Sequence, residues 1–273
     1  MDRRQIADLI VARLEPEVER YAKAFHQGGA IPACAIENLL PDDLVEEIQA
    51  KFPQSDRMVF KKSIKERKHV AAQMDEHDPL LEEAVYAFQD ERVVDLVAQI
   101  TGLDALEPDV DLYAGGISAM STGAYLRPHL DNSHDKNRQR YRVLNLLFYV
   151  TPGWREEDGG CLQLWDDGPT GQPRTIPSRF NSLVIMLTNK HSWHSVNEVT
   201  GQGRRCCVSN YYFSRKSPEE NDYFHATSFR SEFGKGAADL VMQADNAVRT
   251  AILNSPVGGK VYRNPHVYER KDV

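Results

Sequence analysis

Between Gly102 and Phe213 the chain repeats one pattern, a short apolar run closed by turn residues and followed by another apolar run. The runs fall at 117–120, 125–130, 143–150, 160–165, 174–176, 182–187, 192–196 and 205–213. No helical period separates them, which rules out a parallel sheet, because parallel neighbours need a crossover helix between them. Consecutive short strands of this kind close into an antiparallel barrel or jelly roll.

The flanks read differently. Ile6, Leu9, Ile10, Leu14, Val18 and Tyr21 recur near the helical period, and Gly28-Gly29 ends that segment. Pro41-Asp42-Asp43 opens a second helix through Leu44, Val45 and Ile48, and a third spans 78–99 through Leu81, Val85, Phe88, Val93, Leu96 and Val97. Beyond Pro218, Leu240, Val241, Ala244, Val248 and Ile252 share one face of a helix ending at Gly258-Gly259, and a polar tail over 261–273 is expected to pack loosely. With no repeat and no low-complexity linker, the expectation is a single α+β domain over 1–273. It comprises a mainly helical part (1–110), a jelly-roll core (111–215) and a helical C-terminal extension (216–273).

Composition narrows the function classes. Hydrophobic residues at 41% and charged residues at 27% exclude intrinsic disorder for most of the chain. No apolar run approaches the ~20 residues of a membrane span, and the charged N-terminus lacks a signal-peptide core, so a cytoplasmic protein is expected. Cys34, Cys161, Cys206 and Cys207 form neither a disulfide framework nor a zinc-ribbon spacing. The net charge of −7 argues against nucleic acid as a partner. The one basic run, Lys61, Lys62, Lys65, Arg67 and Lys68, reads as a solvated helix or loop face.

Pro128-His129-Leu130-Asp131 carries the chemistry. In an extended segment His129 and Asp131 project to the same side, so an imidazole and a carboxylate reach one metal ion. His194 stands in a later strand, and two histidines with one carboxylate make the facial triad of non-haem Fe(II) oxygenases. His191 falls on the opposite face of that strand, and neither it nor His134 is expected to bind the metal. Arg205 opens the run to Phe213; a guanidinium rooted in an apolar strand needs a buried partner, and its planar fork suits a carboxylate.

From Tyr125 to Phe213 the chain resembles the iron(II)/2-oxoglutarate-dependent dioxygenases of the prolyl-4-hydroxylase-like branch, including bacterial members. The resemblance is carried by His129-x-Asp131, the run from Arg142 to Val150, Trp154, the run from Asp158 to Asp166, Pro177, the run from Asn181 to Ile185, His194 and Arg205 in order. The segment from Phe224 to Arg230 is also similar to the bacterial members.

This resemblance implies a double-stranded β-helix of cupin-like form, with Fe(II) held by His129, Asp131 and His194. It implies 2-oxoglutarate as cosubstrate, its far carboxylate on Arg205 and the Tyr149 hydroxyl beside it, with O2 consumed and ascorbate in support. Strand parity adds Ser209, on the face of Arg205, and Asn145, on the face of Tyr149, as donors to the cosubstrate. The expected reaction hydroxylates an unactivated C–H bond and releases succinate and CO2, on a small-molecule or peptidyl substrate. The alternatives are a prolyl or peptidyl hydroxylase acting on protein, a non-catalytic jelly-roll binding module, and a cupin metalloenzyme that uses no 2-oxoglutarate. The basic loop 132–141, with His134, Lys136, Arg138 and Arg140, hints at an anionic substrate.

Overall fold

The computed structural model describes residues 1–113, 115–219, 221–253 and 268. The strands are β1 (Ala33–Glu37), β2 (Val59–Lys62), β3 (Glu66–Ala71), β4 (Leu106–Pro108), β5 (Gly116–Ser121), β6 (Tyr125–Leu130) and β7 (Tyr141–Tyr149). They continue as β8 (Leu162–Leu164), β9 (Arg174–Ile176), β10 (Ser182–Leu187), β11 (His194–Val196), β12 (Arg204–Ser214) and β13 (Ser228–Phe229). All join one sheet in the order β1-β10-β7-β12-β5-β3-β6-β11-β8-β9, with β4 on β12, β2 on β3 and β13 on β6. Rolled so that the β8 end faces β10 and β7, this sheet is a double-stranded β-helix, with the helices flanking it.

The helices are α1 (Arg3–Leu14), α2 (Val18–Gln27), α3 (Asp42–Ala50), α4 (Pro79–Ala87), α5 (Glu91–Thr101) and α6 (Ala237–Leu253). The period-2 rule sorts the sheet into two faces. Leu183, Phe148, Val208 and Ile117 are successive cross-strand neighbours, and they form one outer row packed on Ile6, Ile10, Leu81, Val85, Val93 and Val97 of the helices. Each such side chain, fully buried, contributes about 1.5–3 kcal/mol. The adjacent row, Ser182, Tyr149, Cys207 and Ser118, faces inward and lines the chamber.

Every strand expected from the apolar runs is present, but the N-terminal part is less helical than its periodicity suggests, since β1, β2 and β3 lie within it and extend the sheet. The single helix expected over 78–99 is two, α4 and α5, because the Asp90 carboxylate caps Arg92 N and starts a new helix. The basic run around Lys61 is a β-hairpin, β2–β3, not a helix or loop. In α6 the helical period holds and the buried face does not: Leu240, Val241 and Val248 are exposed, while Met242 is buried. Polar contacts hold this helix, Asp239 to Arg230, Asp245 to Lys65, and Asn246 to the backbone of Phe229. Gly258-Gly259 and all of the 261–273 tail except Tyr268 lie outside the described residues; Tyr268 is buried, with its N–H on Asp111 O.

The turn before β8 requires glycine. Gly159 has φ +73°, and a Cβ there would lie 2.1 Å from the carbonyl oxygen of Glu198, whereas Gly153, with φ +67°, has open space. Gly159→Ala is expected to destabilise the protein by about 3 kcal/mol and Gly153→Ala by about 1 kcal/mol, since only the first adds a backbone clash to the left-handed strain. Urea-unfolding midpoints of the two variants check this difference.

Candidate active site

His129 on β6 and His194 on β11 are directly opposed across an antiparallel pair, with their rings 4.1 Å apart. The two strands slip against each other, so that Val196 pairs with Leu126 and Leu126 shares a face with His129 despite their odd spacing. Pro128, which has no N–H to give a ladder, sits in this irregularity. Asp131 follows on the same side. Its Oδ1 lies 3.6 Å from His129 Nε2 and its Oδ2 3.4 Å from His194 Nε2. Among the described residues this is the one His/Cys/Asp/Glu group with ligand atoms all within 4.8 Å of one another.

The second nitrogen of each ring fixes its orientation. His129 Nδ1 is 3.0 Å from the carbonyl of Arg127, and His194 Nδ1 is 2.9 Å from the carbonyl of Ser192. A carbonyl only accepts, so both Nδ1 atoms carry the hydrogen and both Nε2 lone pairs point toward Asp131. Phe229, paired to His129 through β13, stacks on its ring at 5.3 Å. Burial, reinforced by the neighbouring His194, pushes His129 down to about 3 against the pull of Asp131. The imidazole is therefore neutral, the form that ligates metal.

Asp131 is held by a network. Burial alone would raise its carboxyl, but the Arg142 guanidinium leads the interactions that outweigh burial and hold it well below the usual carboxylate range. Asn145 Nδ2 donates to Asp131 Oδ2 at 2.8 Å, and Arg142 Nη2 lies 3.4 Å from the same oxygen. Arg142 in turn donates from Nε to Asn145 Oδ1 and from Nη1 to Asn132 Oδ1, and its guanidinium stacks 3.6 Å above the Tyr211 ring. Oδ2 is thus occupied by protein donors, whereas Oδ1 is left facing His129.

A second buried guanidinium lies deeper. Arg205 is 4% exposed, its Nη2 meets the Met120 thioether at 2.8 Å, and its Nε has no hydrogen-bond partner. Tyr149 lies beside it, ring centre 5.2 Å from the guanidinium carbon; burial raises the phenol while Arg205 opposes the rise. Gly160 leaves the space, since a Cβ there would sit 3.1 Å from Arg205 Cδ. Ser209 follows on the same strand, its hydroxyl 3.6 Å from Cys207 Sγ. An unpaired buried cation is costly, and a carboxylate entering this pocket supplies its missing partner.

The structure brings His129, Asp131 and His194 together, places Tyr149 and Ser209 along the Arg205 wall, and places Asn145 on Asp131. His191 is exposed and His134 bonds Ser133 Oγ, both apart from the trio. Arg142, which the sequence marks only as the start of a run that carries the resemblance, and Met120 are contributors whose roles no sequence pattern assigns.

The fold and the inward-facing trio define the class of 2-His-1-carboxylate barrels. Residues 115–213 match the 2OG-Fe(II) oxygenase superfamily. Prolyl 3-hydroxylase OGFOD1 of Xenopus laevis is 34% identical over 84 residues, 29% of this chain and 16% of that protein. The Mus musculus protein of the same name is 28% identical over 134 residues, 47% of this chain and 23% of that protein. The chain therefore matches less than a quarter of the length of these relatives. A Pseudomonas putida prolyl-4-hydroxylase shares the fold, with TM-score 0.53, 18% identity, and coverage of 72% of this chain and all of that one.

Replacing Arg142 leaves Asp131 buried with less compensation and strips the donors from Asn145 and Asn132. Arg142→Met is expected to cost the metal-free protein about 3 kcal/mol at neutral pH, read as a loss of unfolding free energy in urea. The Asp131 carboxyl then rises, so the deficit narrows as pH falls through the ordinary carboxylate range, where the unfolded chain takes up a proton that folded wild-type Asp131 resists.

Proposed function

We propose that the chain is a 2-oxoglutarate-dependent hydroxylase, in which His129, Asp131 and His194 hold Fe(II) and Arg205 receives the far carboxylate of 2-oxoglutarate. The observation that carries this reading is the contrast between two buried arginines. Arg142 is fully engaged by Asn145, Asn132 and Asp131, whereas Arg205 Nε is buried without a partner. A cupin using histidines alone has no need of such a group, and a binding barrel has no need of the trio.

Bound iron would activate O2 with the cosubstrate, converting 2-oxoglutarate, O2 and R–H into succinate, CO2 and R–OH. The chain's own residues do the positioning. The two carbonyl contacts fix the imidazole tautomers, and Asn145 with Arg142 occupies Asp131 Oδ2, so that Oδ1 is the oxygen that would be left to hold Fe(II). Tyr149 and Ser209 border the carboxylate end, and the buried inner face excludes bulk water from it.

Peptidyl proline is the favoured substrate, supported by the names of the two relatives. We also assign 1–273 to one catalytic unit, a cytoplasmic setting, and ascorbate as the supporting reductant. Among the described residues no helix is long and apolar enough to cross a membrane.

Anaerobic titration of the protein with Fe(II) and 2-oxoglutarate tests the reading through the metal-to-ligand charge-transfer band, followed by succinate release on adding O2. His129→Ala and Asp131→Ala are expected to abolish both signals, and unchanged succinate release in either variant rejects the assignment. Arg205→Met is expected to raise the Kd for 2-oxoglutarate about 100-fold with Fe(II) binding retained. Asn145→Leu is expected to weaken Fe(II) about tenfold, measured by metal competition without cosubstrate.

A further inference from the structure

The hairpin β2–β3 holds five basic side chains, Lys61, Lys62, Lys65, Arg67 and Lys68, against one carboxylate, Glu66, in a chain of net charge −7. Its registry decides which of them face the chamber. Val70 pairs with Ser118 of β5, and Ser118 pairs with Cys207 of β12, so Val70 belongs to the inner row. Lys68 lies two residues from Val70 on the same face, and Lys61 is its cross-strand partner. Lys62 and Arg67 form the next pair, on the opposite face, with Phe60 stacked on His69. The hairpin is also bonded to the strand of the trio: Glu66 pairs with Leu126, and Arg127 N donates to Lys65 O. Both His129 and Cys207 feel the Lys68 charge, which fits a position above the chamber.

The surrounding cations are already matched. Lys68 has Glu66 at 3.2 Å, Arg127 has Glu232 at 2.7 Å, and Lys65 has Asp245. In the 132–141 loop, Lys136 has Asp111, Arg140 has Asp135 and Glu107, and the exposed Arg138 lies over the Phe224 ring at 4.1 Å. Lys61 is half-buried and makes no hydrogen bond or ion pair among the described residues. Burial, and then the like charge of Lys68, lower its pKa against the opposing pull of Glu66. Lys61 at the mouth thus resembles Arg205 at the base, a sheltered cation that forms no ion pair of its own among the described residues, since the nearby Glu66 is paired with Lys68.

We propose that Lys61, with Lys68 beside it, receives a carboxylate carried by the substrate close to the carbon that is oxidised. This deepens the hydroxylase reading and rests on it: Arg205 selects the cosubstrate's carboxylate, and the hairpin selects the substrate's. The same chemistry is offered by an Asp or Glu next to a prolyl residue and by the free carboxylate of a small molecule.

The test uses the full chain loaded anaerobically with Fe(II) and 2-oxoglutarate. Fluorescein-labelled peptides with a central proline flanked by glutamates, glutamines or lysines are titrated by polarisation, and unlabelled L-proline and L-prolinamide by intrinsic fluorescence. The glutamate peptide is expected to bind tightest, to lose about fivefold in affinity with Lys61→Gln, and to lose its preference to the lysine peptide with Lys61→Glu. Lys62→Glu makes the same charge change on the outer face and is expected to leave the preference in place. If no peptide binds but L-proline binds in preference to prolinamide and Lys61→Gln removes that preference, the carboxylate belongs to a small molecule and the assignment stands. Equal binding of the three peptides, equal effects of Lys61→Glu and Lys62→Glu, or no Lys61-dependent binding in either arm overturns it. In each of those cases the charge-transfer band and succinate release of the wild type still decide the hydroxylase reading separately.

Discussion

The antiparallel pairing of β6 with β11 is the constraint on which the rest of the chamber depends. It sets His129 against His194 across the sheet, and Asp131, two residues beyond His129, keeps to the same inner side. A slip of β6 by one residue would turn His129 and Asp131 outward and separate them from His194. The remaining walls follow from strands that continue this sheet: β12 brings Arg205, Ser209 and Tyr211, β7 brings Tyr149 and Asn145, and β3 brings Lys68.

Charge inside the barrel is arranged by partner. Asp131 is ionised chiefly because the Arg142 guanidinium lies beside it, and the Asn145 amide donates to the same oxygen. Arg205, by contrast, is packed between Met120 and Tyr149 with an orphaned donor. A half-satisfied buried charge is destabilising in isolation. Its retention makes sense where a dianionic ligand completes it, and that ligand then stabilises the folded chain in proportion to its own affinity.

Much of this arrangement is legible in the amino-acid sequence. The core strands, the trio and the face shared by Arg205 and Ser209 follow from period-2 alternation, which is robust where one face of a sheet is buried. What alternation misses are its interruptions. Between Tyr212 and Phe213 the β7–β12 register shifts, so that Leu144 and Arg142 occupy consecutive pairing positions and Val143 is left over. Arg142 therefore joins Asn145 on the inner face, although odd spacing assigns them to opposite sides, and a bulge of this kind leaves no mark in composition. Strand parity sends Asn145 to the cosubstrate because it shares a face with Tyr149; the structure gives its amide to Asp131, a choice set by Arg142 and thus equally hidden. In α6 the departure is of another sort. Periodicity identifies a helix and its apolar stripe, but Asp239, Asp245 and Asn246 anchor the helix by its polar side.

The N-terminal hairpin shows why the chamber cannot be reduced to the segment that carries the family resemblance. β3 inserts between β5 and β6, two strands adjacent in sequence, and pairs with both. Without it β5 and β6 would each present an unpaired edge in the middle of the barrel. The strand that closes this gap also carries Lys68, and its hairpin partner carries Lys61. A barrel wall and a charged rim are thus one element, so a change in the hairpin's registry by a single residue would exchange Lys61 and Lys68 for Lys62 and Arg67 or for the Phe60–His69 stack. The hairpin's pairing, and not its net charge alone, decides what the mouth of the chamber presents to a substrate.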